Sequence, residues 1–239
     1  MKSLQLIKSV LFLFLITSLS SAAKAQAEQS RDVVLKDFSE IHVNTGIELI
    51  ITQGTTESAK IVADESLINA VVVEQSGNSV NIKWELIKST KKRWLNRTAK
   101  VFISYKNLNI LEASDGSSVK TENAIKSGIL NIAVSSGAIV SASLDCPQLQ
   151  VKISSGASAL LKGSAGKLTL ESSSGSRVNT LDLLTEYANA TASSGADVKI
   201  SVSKELQATA NSGGNIRYKG SPVVTNSAGS KSGNVKAIL

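Results

Sequence analysis

Chemically reactive side chains are sparse in this sequence, which contains one histidine, His42, and one cysteine, Cys146. Nucleophilic catalysis needs a base beside the nucleophile, and a zinc site needs several His, Cys or carboxylate ligands. We find no such partner for either residue. We therefore interpret His42 as a half-exposed strand residue and Cys146, next to Pro147, as a small buried apolar residue. We expect no catalytic residue, no metal site and no cofactor.

Acidic residues are the catalytic groups of polysaccharide hydrolases and lyases, which need carboxylates clustered in one place. The acids and the nearby arginines are instead scattered along the sequence: Glu112, Asp115, Glu171, Arg177, Asp197 and Arg217. Neighbouring strands lie about 4.8 Å apart, so acids two or more strands apart are separated by roughly 10 Å or more and do not obviously meet. A carbohydrate-active β-helix enzyme of the pectinase or lyase type is kept as the alternative to a non-catalytic protein.

A basic stretch is the most distinctive local feature. Six cationic residues and one tryptophan lie within thirteen positions: Lys88, Lys91, Lys92, Arg93, Trp94, Arg97 and Lys100. Cationic groups beside an aromatic ring can hold an anionic glycan or a lipopolysaccharide phosphate. The alternative interpretation is a solvated loop whose Trp94 closes the end of the core. No nucleic-acid-binding motif accompanies the stretch, and we expect no nucleic-acid partner.

The N-terminus has the organisation of a secretory signal peptide. Lys2 and Lys8 flank the start of an apolar run at 10–16, and a small-x-small cleavage site ends at Ala25. The run is shorter than the roughly 20 residues that a membrane-spanning helix needs. We expect residues 1–25 to be removed, no transmembrane segment to remain, and the protein to be periplasmic or exposed at the cell surface. Lysines of this region supply three of the seven net positive charges, so the mature protein is only mildly basic.

An internal repeat of about 20 residues organises the second half of the chain. Its marker is a glycine after serine or aspartate, with spacings of 18 to 21 residues, at Gly116, Gly137, Gly156, Gly175, Gly195 and Gly213. The residues five before and three after each glycine are apolar, and the two directly before it are polar. Alternation such as Leu149, Val151 and Ile153 adds a strand signal before the turn. A flexible Ser/Gly linker, the alternative, has no reason to keep apolar columns in step.

A solenoid explains why these residue types recur. One coil is too thin to bury a face, whereas stacked coils place equivalent small aliphatic residues in continuous inner columns. Glycine suits the corner because it adopts positive φ without a Cβ penalty. We therefore predict an all-β fold, a parallel β-helix or β-solenoid with about 20 residues per coil. We expect it to be right-handed, the usual hand of parallel crossovers.

The part before the repeat also has the pattern of β-structure. Alternating apolar residues predict strands at 41–43, 47–51, 60–63, 71–74 and 80–82, and Gly77-Asn78 suits a hairpin turn between the last two. Residues 64–69 are compatible with one helical turn. We divide the mature chain into a less regular β-rich part, 26–106, and a repetitive part, 107–239, that continues it.

Specific segments resemble a known family. They are 38–43, the following Gly46-Ile47-Glu48-Leu49-Ile50-Ile51-Thr52-Gln53-Gly54, and the strand 100–104 that leads into the Ser-x-Gly repeats. They are similar to the putative auto-transporter adhesin, head GIN domain family, a domain of unknown function frequent in Bacteroidetes. The resemblance covers residues 33–220, with Glu48 where many members have asparagine. It implies an exported β-helix-like protein with an adhesin role, and it supplies no catalytic residues.

Fold likeness alone is a poor guide to activity, so the functional hypothesis also rests on the residues. We expect an exported, non-catalytic binding or structural protein of the cell envelope. Its expected partner is a surface glycan or an envelope protein.

Overall fold

The structure is a computed structural model that describes residues 28–85, 99–226 and 232–238. These residues form one continuous sheet of 18 strands. The strands of the first half are short: β1 (Glu28–Val34), β2 (Glu40–Val43), β3 (Glu48–Gln53), β4 (Ser58–Asp64), β5 (Val71–Ser76), β6 (Ser79–Trp84), β7 (Ala99–Tyr105), β8 (Ile110–Ala113), β9 (Ser118–Thr121), β10 (Ile125–Lys126) and β11 (Ile129–Val134). Four long strands and three short ones follow: β12 (Ile139–Ile153), β13 (Ser158–Ser172), β14 (Arg177–Ala192), β15 (Asp197–Ala210), β16 (Asn215–Lys219), β17 (Val223–Asn226) and β18 (Asn234–Ala237). A 3₁₀ turn at Ile68–Ala70 separates β4 from β5.

From β8 onward each coil lies on the previous one in parallel register. Leu111 pairs with Ile132, Ile132 with Val151, and Val151 with Leu170. These are the apolar residues five positions before the corner glycines, so the parallel β-solenoid predicted from the repeat is confirmed, with about 19 residues per coil. The right-handed winding stays a prediction.

The core of the solenoid is filled by every second residue of its strands. In β12, Val140, Ala142 and Leu144 face inward, and Ser141 and Ser143 between them face outward. The alternation breaks where Pro147 and Gln148 are both exposed, and inward positions resume at Leu149. The strand therefore bends there, with no partner in β13 at Pro147 itself and an unchanged register on either side. Each fully buried Val, Leu or Ile side chain stabilises the fold by about 1.5–3 kcal/mol relative to an exposed one.

The N-terminal part adds coils in an order that differs from the chain order. β2 pairs in parallel with β8, and β3 pairs with β9. On their other side, β6 pairs with β2 and β7 pairs with β3. The layer of β2 and β3 thus lies between the layer of β6 and β7 and the layer of β8 and β9. In the chain, by contrast, β6 and β7 come after β2 and β3. The strands predicted at 41–43, 47–51 and 80–82 belong to these layers, while the division of the chain near residue 106 stays a prediction.

Antiparallel strands cover the edge of this outer layer. β5 pairs with β6 through the Gly77-Asn78 turn, so the predicted hairpin is confirmed. β4 pairs with β7, and β1 pairs with β4. A bare edge of parallel strands would present unpaired backbone groups to other chains, and antiparallel strands that cover it reduce that risk. Among the described residues no helix is long and apolar enough to cross a membrane.

Candidate functional site

The corners of successive coils form one column along the solenoid. At each corner two consecutive residues have positive φ, as in Ser155 (54°) and Gly156 (71°). The Gly137 N–H donates to the Ser155 carbonyl, and the Gly156 N–H donates to the Ser174 carbonyl, both at 3.0 Å. Sequence reasoning placed the left-handed conformation on glycine alone. The residue before each glycine also has a left-handed backbone conformation, and its Cβ atom makes that conformation sterically unfavourable, which is not so for glycine. The same pair of positive φ values occurs at Gly116, Gly137, Gly175, Gly195 and Gly213.

A further corner at Asn44-Thr45-Gly46 extends this column, and sequence reasoning did not include it. Thr45 and Gly46 have φ values of 60° and 70°. The Gly46 N–H donates to the Asp115 carbonyl at 3.0 Å. Ile41, five residues before Gly46, and Leu49, three residues after it, are both fully buried, as the repeat requires. The coil of β2 and β3 is therefore one more copy of the repeat.

The basic stretch lies between β6 and β7. Six of its members fall outside the described residues: Lys88, Lys91, Lys92, Arg93, Trp94 and Arg97. Lys100 is described, and it is an exposed residue of β7 in register with Glu48 of β3. Trp84, which ends β6, is partly buried against the core. The anionic-ligand hypothesis for this stretch stays a prediction.

Several carboxylates contact cationic or hydroxyl groups of their own or neighbouring coils. Arg217 Nη2 donates to both carboxylate oxygens of Asp197, at 2.7 and 2.8 Å. Glu171 Oε2 lies 3.5 Å from Lys152 Nζ, and the Ser114 hydroxyl donates to Asp115 at 3.0 Å. Such exposed pairs contribute about 0–1 kcal/mol each to stability. Their main effect is to neutralise charge along the outer surface.

His42 lies between two carboxylates on the outward face of β2 and β8. Its Nδ1 is 2.7 Å from Glu112 Oε2, and its Nε2 is 3.8 Å from Glu40 Oε2. Glu112 belongs to the next coil, and sequence reasoning did not anticipate this contact. The Glu40 carboxylate also accepts a hydrogen bond from Asn78 Nδ2 at 2.9 Å. No group of three or more His, Cys, Asp or Glu residues in 28–85, 99–226 and 232–238 is arranged to hold a metal ion.

An exposed aromatic ring lies on the same outward face, further along the solenoid. Tyr187 is 44% exposed, and Lys204 Nζ lies 5.3 Å from the centroid of its ring. The ammonium group also lies 2.7 Å from Glu186 Oε2, and its hydrogen bond to this carboxylate raises the pKa of Lys204. We name as the Tyr187 cluster the residues Lys167, Glu186, Tyr187, Asn189, Lys204, Glu205 and Gln207.

Three strands position the Tyr187 cluster. Tyr187 of β14 is in register with Lys167 of β13 on one side and Glu205 of β15 on the other. Asn189 and Gln207 lie beside each other in the next outward row. A depression of about 260 Å³ is lined by Lys167, Tyr187, Ala188, Asn189, Glu205 and Gln207. A second depression, of about 500 Å³, includes Glu186, the ion-pair partner of Lys204.

Sequence reasoning missed this cluster because Tyr187 is an isolated aromatic residue away from the corner glycines. The signal that could have found it is a break in alternation. Glu186 and Tyr187 are consecutive exposed residues between buried Thr185 and buried Ala188. Two outward residues in succession mark a bend of the strand, and the smaller depression lies beside Tyr187 at this bend.

Cys146 lies in the core and is 3% exposed. Burial, with a smaller contribution from Asp145, raises the pKa of its thiol to about 11. The thiolate is the reactive form of cysteine, so this thiol is a poor nucleophile at neutral pH. The geometry agrees with its interpretation as a small buried residue.

Comparison with known proteins relates the chain to one family. The family model described as "Putative auto-transporter adhesin, head GIN domain" matches residues 37–222. The crystal structure of a putative adhesin from Bacteroides fragilis is similar, with a TM-score of 0.79 and 21% identity, over 90% of this chain and 98% of that chain. A putative adhesin from Parabacteroides distasonis gives a TM-score of 0.71 at 18% identity. A putative lipid binding protein from the same organism gives a TM-score of 0.65 at 16% identity. Both comparisons cover 90% of this chain and 98% of the other. Likeness at these identities concerns the fold. No curated protein gives a significant match to this sequence.

Proposed function

Because the chain belongs to the putative auto-transporter adhesin, head GIN domain family, we propose that it is an exported, non-catalytic binding protein with an adhesin-like role at the cell envelope. One observation carries this proposal, a row of outward polar side chains in register across five coils. We name it the amide row after its four amide side chains, with a threonine between them. Its members are Asn131, Gln150, Thr169, Asn189 and Gln207. Equivalent side chains repeat about every 4.8 Å along the solenoid. Such spacing suits an extended, repetitive partner, for which a surface glycan or an envelope protein is the natural choice.

Export is supported by the signal-peptide pattern of residues 1–25 and by the buried state of the lone cysteine. A periplasmic or surface location is oxidising, and exposed thiols there are prone to disulfide formation. Cys146 is buried and is thereby protected from such pairing. The mature protein then begins at Gln26.

The alternative function, a carbohydrate-active β-helix enzyme, would need a pair of carboxylates, and the one place where two of them flank a shared neighbour in the pairs described above is the cluster of Glu40, His42 and Glu112. A glycosidase needs two carboxylates that flank the scissile bond of a bound glycan. Here the imidazole of His42 occupies the space between the carboxylates and contacts both. Glu40 is held in addition by Asn78. The arrangement is that of a contact between neighbouring strands, and it leaves no room between the acids for a glycosidic bond.

Two measurements test the proposal. Cell fractionation with mass spectrometry of the recovered chain should find it in the envelope or outside the cell, with Gln26 as its first residue. A chain that retains Met1 in the cytoplasm would overturn the proposed export. The purified chain 26–239, incubated with envelope glycans, should bind them without releasing reducing ends. Release that Glu112→Gln abolishes would establish the enzyme instead.

A further inference from the structure

We propose that the Tyr187 cluster is a binding site for a segment of a neutral glycan. The inference rests on the proposed binding function and names the class of ligand. It is carried by three features of the described residues: an exposed and oriented aromatic ring, a balanced set of charges, and amide side chains in register beside the ring.

The ring of Tyr187 is partly exposed and contacts the ammonium group of Lys204. Tyrosine combines an apolar ring with a polar hydroxyl group, which suits it to contacts with a ligand that has both apolar and polar faces. Lys204 contacts the ring as a cation over a π system and is itself held by Glu186. These contacts orient the ring and still leave 44% of the residue exposed. The C–H faces of a sugar pack on such a ring, while its hydroxyl groups remain free to form hydrogen bonds around it.

The charges of the Tyr187 cluster cancel. Lys167 and Lys204 are balanced by Glu186 and Glu205, so an anionic ligand gains no net attraction from them. The four charged groups and two amides supply both hydrogen-bond donors and acceptors. A neutral ligand with many hydroxyl groups uses both kinds, whereas a phosphate or sulfate uses only donors. This site therefore differs in ligand class from the basic stretch between β6 and β7.

The amide row extends from the Tyr187 cluster along the solenoid axis. Asn189 and Gln207 belong both to the Tyr187 cluster and to the amide row, which continues to Thr169 and Gln150 of earlier coils. The depression beside the ring has a volume of about 260 Å³, slightly smaller than small-molecule sites, which start near about 300 Å³. It suits a short part of a glycan, and the remainder of the polymer can extend along the row.

The test uses the purified chain 26–239 and isothermal titration with cellohexaose, maltohexaose and mannohexaose, with heparin as an anionic probe. At least one neutral hexasaccharide should bind, and Tyr187→Ala should weaken its binding by about tenfold or more, because stacking on an aromatic ring contributes on that scale. Tyr187→Phe keeps the ring and should retain binding. Phe102→Ala is the matched control, since Phe102 is also an exposed aromatic residue, 37% exposed, on another strand, and it should leave binding unchanged.

Salt dependence separates this site from an electrostatic one. Raising NaCl from about 0.05 M to about 0.5 M should leave binding of the neutral hexasaccharide nearly constant, because no net charge is screened. Binding that Tyr187→Ala leaves intact in a folded protein would overturn the site and leave the adhesin-like function standing. Failure of the three neutral probes, while the same chain still binds envelope glycans, would overturn the ligand class alone. Release of reducing ends by the wild-type chain would instead overturn the non-catalytic function on which the inference rests.

Discussion

His42 Nδ1 lies 2.7 Å from Glu112 Oε2, although the two residues are 70 positions apart in sequence. The contact arises because Gly46 and Gly116 occupy adjacent places in the corner column, which sets β2 beside β8 in register. Residues 54–109, which include the outer layer of β6 and β7 and the antiparallel strands β4 and β5, separate the two coils in the chain. Stacking brings them together again.

We predict a weak energetic coupling between His42 and Glu112. Both side chains are partly exposed, at 26% and 51%, and exposed ion pairs contribute about 0.2–1 kcal/mol. A double-mutant cycle with His42→Ala and Glu112→Gln, measured by urea unfolding at pH 6, should give a coupling in that range. A coupling of several kcal/mol would mean that this pair is a structural requirement of the coil.

Two glycines with positive φ should differ strongly in their tolerance of alanine. At Gly156 an added Cβ meets no neighbouring atom, so only the left-handed backbone costs about 1–2 kcal/mol. At Gly163 the Cβ would collide with the carbonyl oxygen of Leu144 in the neighbouring coil. Gly163→Ala should therefore destabilise the protein more than Gly156→Ala, as measured by chemical unfolding. Equal losses would show that the spacing between the coils adjusts freely at Gly163.

The inner columns should not accept charge. Val151 and Val198 are buried at 1% and 0% exposure, whereas Ser155 lies exposed at a corner. An unpaired buried carboxylate costs several kcal/mol, and a partly solvated hydroxyl contributes about 1 kcal/mol or less. Val151→Asp or Val198→Asp should unfold or aggregate the protein, while Ser155→Ala should change its melting temperature little. Similar melting temperatures for the three variants would mean that Val151 and Val198 do not face the core.

Much of the repetitive fold could be predicted because small aliphatic residues must recur wherever a thin coil stacks on the next one. The same rule extends to Ile41 and Leu49 around Gly46. This copy was not recognised in the sequence because residues 54–109 separate it from the next copy, so its glycine does not follow the spacing of 18 to 21 residues. The Tyr187 cluster could not be predicted from the apolar columns of the repeat. The register between β14 and β15 shifts between Thr180 and Thr185 and again before Tyr187, and such irregularities place side chains together that a constant spacing keeps apart.

Cys146 should be inert in the folded protein. Burial raises the pKa of its thiol from 9.0 to about 11, so Ellman's reagent at pH 8 should find no reactive thiol until denaturant is added. The folded state holds the proton more tightly than the unfolded state, so this group's contribution to stability is full below about pH 9 and declines toward pH 11. Cys146→Ala should remove this part of the alkaline loss of stability. Fast native reaction with the reagent would contradict the buried position.

The basic stretch predicts salt-sensitive binding of anions. The triple substitution of Lys91, Lys92 and Arg93 by Ser should abolish retention on heparin or lipopolysaccharide resin at low salt and leave the melting temperature unchanged. Raising the salt concentration should weaken wild-type retention, because ions screen exposed charges beyond about 8–10 Å. Trp94→Ala serves as the comparison, since loss of both retention and stability would show that the ring also packs on the core. Unchanged retention of the triple variant would return the stretch to an ordinary solvated loop.

A glycan-array screen of the purified chain 26–239, with mass spectrometry of the glycans eluted from it, tests the central claim most directly. A non-catalytic solenoid that binds surface glycans should be retained on a defined subset of them, and these glycans should be recovered at their original length. Recovery of shortened glycans would contradict the non-catalytic function, and absence of retention on every glycan would contradict a glycan as the partner.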